Sequence, residues 1–399
     1  MRRAGADRTF AAGLAVSRLT APSLPIGTFD VAVIGGGLVG SSIALGLTGA
    51  GARVAVLDED GRAHRASRGN FGLVWVQGKG AGRPDYARIS RRAADSWADF
   101  AAMLRDLAGV DVGHRRTGGH YFCHGEAAFE ARRAMLAGIE EATGGLASFE
   151  MLDRDELAHR LPGIGPTIHG SSWTPHDGGA DPLKLLRALH AGLGIRGGRP
   201  IATTAVDAIR PDGDAHEIRA GGATIRAARV VLAAGLGNAR LAPLVGLAAP
   251  VRPVRGQILV TERLAPFLEP VSNMLHQMPE GTLLVGDTAE EVGFDDGVLV
   301  GSAEKLAARA VAVFPALARA RLVRTWGALR VMTPDGLPIW ERSRSRPGAW
   351  LATVHSGVTL APFHHDVVAR AILEEEAEPL LAPFAAERFA AAVDAGTRA

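Results

Sequence analysis

Residues 30–58, DVAVIGGGLVGSSIALGLTGAGARVAVLD, read as strand, glycine turn, helix, strand and acidic cap. Val31 to Ile34 is an apolar run of strand length, and Gly35, Gly37 and Gly40 follow with the spacing that opens a dinucleotide-binding βαβ unit. Gly35 permits the tight turn, Gly37 lets backbone approach a pyrophosphate, and Gly40 lets helix and strand pack closely. The phosphates then rest on the helix N-terminus, which Leu38 opens. Asp58 closes the second apolar run roughly 20 residues beyond the glycines, where a carboxylate accepts hydrogen bonds from ribose hydroxyls. Glu59 adds a second acid, and a carboxylate here argues against a 2′-phosphate and so against NADP. The uncharged window 31–50 has the length of a membrane span. Its six glycines, Arg53 and the strand that follows favour the soluble motif instead.

Outside this unit the chain has an ordinary globular composition, with 399 residues, 47% hydrophobic and 22% charged, enough for two lobes. Lys+Arg of 44 against Asp+Glu of 42 leaves +2, with the arginines scattered along the sequence, so no nucleic-acid partner is implied. The single cysteine, Cys123, excludes an internal disulfide and any Cys-rich zinc or iron–sulfur site within the chain. Residues 1–28 carry an early arginine pair without a sustained apolar core, which predicts a disordered leader rather than a signal peptide and makes the cytoplasm the default compartment. No integral membrane segment is expected.

Periodicity organises the remainder. Residues 65–80, RASRGNFGLVWVQGKG, form a polar glycine-bearing loop feeding an apolar run. Residues 84–108 have helical spacing, with Ile89, Trp97, Phe100, Met103, Leu104 and Leu107 as the buried stripe. A strand at Gly118 to Cys123 and a helix around Ala127 to Thr143 follow. Asp181 as N-cap and Pro182 at the first helical position predict a helix to about Leu193. Strands are expected at Thr203 to Arg210 and Ala228 to Leu232, the second apolar throughout, as in a parallel sheet buried on both faces. From Pro250 to Trp326 the pattern becomes short strands, at Gln257 to Glu262, Gly281 to Asp287 and the polar Glu290 to Gly297, then a helix at Ser302 to Val313. Trp350 to Leu373 repeats strand, Ser-Gly turn and amphipathic helix. The nucleotide domain is therefore discontinuous, at 29–90, 149–250 and 327–375. A second domain takes 91–148 and 251–326, and 376–399 forms a helical tail.

With these pieces placed, the stretch Asp30 to Leu373 resembles the D-amino-acid oxidase/glycine oxidase superfamily of FAD enzymes. The resemblance is carried by the glycine unit ending in Asp58, the loop ASRGNFGL, the segment DGGADPLKL, the pair EGTLLVGD and EVGFDDG, and LRVMTPDGLPIW followed by HSGVTLAP. It implies an α/β fold, a Rossmann-like FAD-binding domain with a second α+β substrate domain built on an antiparallel sheet, holding FAD non-covalently. The wording NFGLVWVQGKG, ALRVMTPDGLPIW and HSGVTLAP is most similar to FAD subunits of heteromeric dehydrogenases of the opine oxidase, hydrogen cyanide synthase and hydroxyproline or proline dehydrogenase type. Such relatives work with a second flavoprotein-like chain and often an iron–sulfur chain; with one cysteine here, any iron–sulfur centre would come from a partner.

By this resemblance Arg330 matches the arginine that binds the carboxylate of a small amino-acid-like substrate. A guanidinium clamps a carboxylate bidentately and so fixes the adjacent Cα–H for hydride transfer to flavin N5. Gly357 matches a glycine that permits close approach of the isoalloxazine, with the amides of Val358, Thr359 and Leu360 supporting negative charge on the ring. Ser67, Arg68, Asn70, Gly72 and Leu73 match the loop lining the flavin, Val206 an adenine-side contact, and Ala234 with Gly235 the pyrophosphate side. The implied reaction oxidises a carboxylate-bearing amine to an imine, with no strong base required. Glycine oxidases carry a tyrosine where Met274 falls here, with His276 two residues on and on the same face. His276 and His355 are thus candidate substrate contacts, each with a structural alternative. Adjacent His364 and His365 do not face one site, so no metal is expected. The alternatives are a self-sufficient oxidase of glycine, sarcosine or D-amino acids releasing peroxide, and a non-catalytic flavin-fold subunit. An NAD-dependent dehydrogenase leaves the C-terminal motif unexplained.

Overall fold

The computed structural model describes residues 24–59, 66–202, 205–286, 288–374 and 378–389. In chain order, β1 (Leu24–Ile34), α1 (Leu38–Gly49) and β2 (Val54–Asp58) form the opening unit, and β3 (Leu73–Val74) leads to α2 (Pro84–Asp95) and α3 (Trp97–Ala108). Then come β4 (Gly119–Cys123), α4 (Glu126–Thr143), β5 (Glu150–Leu152), α5 (Arg154–Arg160) and β6 (Gly170–Thr174). The chain returns through β7 (Gly178–Gly179), α6 (Pro182–Ile195), β8 (Arg199–Ala202), β9 (Val206–Asp212), β10 (Ala215–Ala220), β11 (Ala223–Leu232) and α7 (Asn238–Leu241). It crosses again at β12 (Arg252–Arg263), β13 (Val271–Ser272), β14 (Leu275–Gln277), β15 (Thr282–Val285), α8 (Val300–Val313) and β16 (Leu322–Met332). It closes with β17 (Ile339–Arg342), β18 (Ala349–Thr353), α9 (Ala361–Phe363) and α10 (Ala369–Glu374).

The main sheet runs β17-β18-β11-β1-β2-β8, parallel except at the β17 edge, with the β9–β10 hairpin attached to β11. Alternation along its central strands sends Val31, Val33, Val54, Val56 and Val231 to one face against α1 and the C-terminal helix. Ala32, Ile34, Ala55, Leu57, Val230 and Leu232 go to the other face, against the hairpin and α7. Both faces are covered, which is why these runs are apolar throughout. The chain leaves β1 for β2 on one side and later places β11 on the other, so the strand order reverses at β1. A crevice opens there, beyond the carboxyl ends of the strands.

The second lobe contains an antiparallel sheet, β14-β15-β12-β16, and a smaller one, β13-β4-β6-β5. Leu259, Leu275, Leu283 and Val285 pack on Leu306, Ala310 and Val313 of α8, while Ile258, Leu284, Met278 and Trp326 lie on the opposite face with Phe71. That opposite face is the one turned to the first lobe.

Several expectations are corrected. The strand begins at Leu24, inside the expected leader, pairing with β11 from Ala223 onward; residues 1–23 lie outside the described residues. The helix expected over 84–108 is two, α2 and α3, with Ser96 between them, although Ile89, Trp97, Phe100 and Leu104 are buried as expected. Glu290 to Gly297 is no strand: a single bridge joins Glu290 to Arg255, and its acids serve Arg255 instead. Sheet membership puts 150–174 and 322–332 with the second lobe, while α3 packs on α6 of the first. The expected helical tail is, over 378–389, a pair of short 3-10 turns packed back on the first lobe through Phe384 and the Arg388–Asp335 pair. Thr203, Thr204 and Asp287, ends of expected strands, and the tail beyond 389 lie outside the described residues.

Candidate flavin and substrate site

The glycine turn has the expected build. Gly35 has φ +109°, and a Cβ there would strike the Ala233 carbonyl. A Cβ on Gly40 would strike the Gly35 carbonyl, so α1 sits against the turn as only glycine allows. The Asp58 carboxylate accepts from the Gly36 amide at 2.7 Å, which fixes the acid at the lip of the turn, with exposed Glu59 next to it. Ser67 Oγ accepts from the Leu38 amide at 3.0 Å and would be 2.7 Å from a Cβ on Gly37. His190 of α6 donates to the Gly36 carbonyl at 2.8 Å. Its role could not be read from the sequence, since it is a contact between distant segments.

The other expected cofactor residues surround this turn. Ala233 donates to the Ile34 carbonyl, Ala234 to Asn238 Oδ1 at 2.9 Å, and Gly235 turns at φ +58°. Val206 opens β9 with its side chain in the same core cluster as Ile34 and Leu57. In the lining loop, Asn70 Oδ1 accepts from the Gly72 amide at 2.7 Å, and Gly72 turns at φ +84° against the Ala180 carbonyl. Arg68 is exposed next to half-buried Ser67. Leu73 pairs with Gly179, and Thr359 Oγ1 joins this strand to the C-terminal turn, accepting from the Trp75 amide and donating to the Leu73 carbonyl.

The turn itself departs from the expectation at one amide. Leu360 N–H donates to the Ser356 carbonyl at 3.1 Å and is thus used within the turn. The amides of Val358 and Thr359 have no acceptor among the described residues. Gly357 lies against Leu38 and Val39 at the start of α1, a Cβ there being 3.8 and 3.6 Å from them. Two helix starts, two free amides and a groove lined by glycine backbone therefore converge, a donor set suited to the diphosphate and the ring of a flavin dinucleotide.

Across from this turn, Arg330 lies on the β16 face shared with Trp326 and Ala328. Its guanidinium lies over Gly256 and donates to the Arg255 carbonyl at 3.3 Å. Gly256 is the seat, since a Cβ there would come within 2.5–2.8 Å of the guanidinium atoms. Trp326 Nε1 donates to the Gly69 carbonyl at 3.3 Å, which brings the lining loop to the edge of Arg330's face. Arg255 projects to the opposite face and is fully buried between Glu290 and Asp295.

The two histidines part company. His276 is 5% exposed, donates from Nδ1 to the Phe71 carbonyl at 3.1 Å and fits against Gly179 and Gly72; burial keeps it neutral. It holds the lining loop. Met274 does not share its face, since the strand starts only at Leu275, and Met274 packs into the α8 core. His355 is accessible from the cleft; the surrounding protein, with Lys79 and Arg330, pushes its pKa down to about 3. A neutral imidazole thus lies within the field of two cations. His364 is buried and accepts from Trp340 Nε1, and no group of side chains suited to a metal occurs among the described residues.

Behind the lining loop is a buried polar network. Asp177 accepts from the amides of Val76 and Gln77 and from Gln77 Nε2, while Gln77 Oε1 accepts from Arg132 and Ser172. Burial, outweighing these donors, pushes the Asp177 pKa up to about 6. Because the folded-state value is raised, its contribution to stability is full below the unfolded value and is lost as pH rises through about 6. Asp177→Asn, which cannot ionise, should therefore show a stability difference from wild type that shifts by about 2 kcal/mol between pH 4.5 and 8. Urea melts at both pH values check this; a pH-independent difference would remove Asp177 as the titrating group.

Residues 30–371 match the family model described as FAD dependent oxidoreductase. The chain belongs to this family of FAD-dependent oxidoreductases. It is 42% identical to an opine oxidase subunit of Rhizobium meliloti over 361 residues, 90% of this chain and 97% of that one. It is 28% identical to glycine oxidase of Geobacillus kaustophilus over 370 residues, 90% of this chain and 97% of that one. The crystal structure of glycine oxidase from Geobacillus kaustophilus superposes with a TM-score of 0.84 at 27% identity, covering 90% of this chain and 98% of that one. The cofactor of this FAD-dependent oxidoreductase is accordingly FAD.

Proposed function

We propose that this FAD-dependent oxidoreductase removes two electrons from a carboxylate-bearing amine, leaving an imine, and that it does so as the catalytic subunit of a heteromeric dehydrogenase. The observation that carries the reading is Arg330, held over Gly256 on the sheet face whose Trp326 and Ala328 meet Gly69 of the lining loop. Bound FAD supplies the two-electron acceptor. Gly35, Gly37, Leu38, Gly40, Asp58 and Ser67 would hold its diphosphate and ribose, and the Val358 and Thr359 amides its ring. Arg330 grips the substrate carboxylate, which limits the Cα–H to one orientation. His355, whose pKa the surrounding protein holds down, can accept a hydrogen bond from the amine. The nitrogen lone pair forms the C=N bond as the Cα–H electrons leave, the nitrogen releases its proton to solvent, and water then hydrolyses the imine.

The subunit arrangement is supported by the likeness to the Rhizobium meliloti opine oxidase subunit along nearly its whole length. With one cysteine in the chain, any iron–sulfur centre of such an assembly belongs to another subunit. The proposed place of work is the cytoplasm; among the described residues no helix is long and apolar enough to cross a membrane. Anaerobic titration of the purified FAD-bearing chain with opines, proline and hydroxyproline isomers, glycine, sarcosine and D-amino acids tests the reading. A carboxylate-bearing amine should bleach the flavin, with slow recolouring in air. Fast recolouring with peroxide release would establish the self-sufficient oxidase instead, and a flavin that no amine bleaches would point to a non-catalytic subunit.

A further inference from the structure

Trp97 belongs to the buried stripe that the helical spacing marks, and its ring behaves as core. It is fully buried at the start of α3, edge-on to Phe100 at a centroid distance of 5.7 Å and stacked on His114 at 4.9 Å. Its nitrogen does something else. Nε1 donates to the Thr359 carbonyl at 3.1 Å, across 262 residues of sequence. A buried indole N–H needs an acceptor, yet packing could have supplied any carbonyl nearby. This one lies in the turn whose amides are free.

Thr359 is buried between β18 and α9. Its neighbours' carbonyls are served by the chain itself: Ser356 O accepts from the Leu360 amide at 3.1 Å, Val358 O from the Ala361 amide at 3.1 Å and Leu360 O from the His364 amide at 3.0 Å. The Thr359 carbonyl is passed over. Among the described residues its donor is the indole alone. The side chain of the same residue is fixed as well, Oγ1 accepting from the Trp75 amide at 3.1 Å and donating to the Leu73 carbonyl at 3.3 Å. Two distant segments thus grip Thr359 at its carbonyl and its hydroxyl, and its own amide, with that of Val358, is left without an acceptor.

Without the indole N–H the Thr359 carbonyl is a buried orphan, and it regains a partner by tilting its peptide toward the helix that follows. The tilt passes through the Thr359 backbone to the peptide before it, which carries the free amide. We infer that Trp97 is a positioning residue for the flavin: through the Thr359 carbonyl it sets the aim of the Val358 and Thr359 amides, and with it how strongly the site favours an electron-rich ring. This rests on the reading of those amides as the ring's. Trp97 also shares a buried cluster with Val358, Ala361 and Leu38, so one side chain ties the ring turn to the start of α1. Dipoles act through their direction, so a small rotation weakens the field while the fold stands.

The test uses the FAD-loaded full chain as wild type, Trp97→Phe, Trp97→His, Trp340→Phe and Gly357→Leu. Dye-coupled anaerobic titration gives the flavin midpoint potential. Loss of flavin absorbance with added sulfite gives a Kd that reads the same field without turnover, since sulfite leaves negative charge on the ring. Trp97→Phe should keep its FAD, raise the sulfite Kd about tenfold and lower the midpoint by about 30 mV, the same factor for a two-electron couple. Trp97→His, a smaller ring that keeps an N–H, should fall between the two, and it carries the comparison should the Phe variant lose FAD. A shift in Trp97→His as large as in Trp97→Phe would make ring volume the cause and overturn the role. Trp340→Phe is the control for a lost buried indole bond, Trp340 Nε1 donating to His364 at 3.2 Å. It should weaken the urea melt as Trp97→Phe does and leave both flavin readings at wild type. Wild-type readings in Trp97→Phe, or equal shifts in Trp340→Phe, would overturn the inference. Gly357→Leu fills the groove beside the amides and tests the reading beneath it. If Gly357→Leu loses FAD or shifts both readings while Trp97→Phe does not, only the role of Trp97 falls; if Gly357→Leu reads as wild type, the ring lies elsewhere and both fall.

Discussion

Arg330→Ala is expected to lower the second-order constant for flavin reduction by a carboxylate-bearing amine about 10²–10³-fold, with the FAD content of the purified protein unchanged. The magnitude follows from losing a bidentate charge-assisted pair inside a cleft, about 3–4 kcal/mol of transition-state stabilisation. Part of it should appear in the rate and part in binding, since the clamp both holds the acid and orients the Cα–H. FAD should be retained because Arg330 belongs to the second-lobe sheet and takes no part in the glycine turn. Arg330→Lys should recover only a minority, because an ammonium lacks the planar fork and cannot lie over Gly256 in the same way. The control is an amine of matched size without a carboxylate, poor with both proteins and equally so. If Arg330→Ala slowed that amine as much as the acid, or turned over the acid at the wild-type rate, the arginine would be bracing the Arg255 carbonyl and not a substrate.

What could be read in advance follows the range of the interactions. The glycine unit, the buried run of β11 and the Asp181–Pro182 helix start were legible because each is set by neighbours a few residues away: φ, a cap, a periodicity. The start of β1 was not, since Pro25 and Gly27 resemble a linker and the pairing with β11 slips between them. The interruption at Ser96, between α2 and α3, leaves no mark in the hydrophobic spacing, which runs on across it. The site divides along the same line. Arg330 and Gly357 stand in motifs, so resemblance marked them. Gly256 beneath Arg330, His190 on the glycine turn and Thr359 beneath the Trp97 nitrogen are contacts between segments far apart; the Trp97–Thr359 bond spans 262 residues.

Gly40→Ala tests the other half of the site, and its expected result is a protein that loses FAD on gel filtration while keeping its far-ultraviolet spectrum. A Cβ at 40 would overlap the Gly35 carbonyl and lie 3.1 Å from the Gly35 carbonyl carbon and 3.2 Å from the Ala233 side chain. Two of these three atoms are backbone of the turn itself, so no rotamer change relieves the overlap and α1 must move away from Gly35 to Gly37. The strain, about 1–3 kcal/mol, leaves α1 folded, because its buried residues still pack on the valines of β1 and β2. What suffers is the register between the start of α1 and the turn, where Ser67 meets the Leu38 amide and Gly357 meets Val39. A dinucleotide reads that register at both the diphosphate and the ring, so a shift of a few tenths of an ångström is felt twice. Gly138→Ala, within α4 with nothing within 4 Å of its added Cβ, should keep its flavin and gain up to about 1 kcal/mol from helix propensity alone. Full flavin retention by Gly40→Ala, at wild-type stability, would show that the cofactor is not held on this turn.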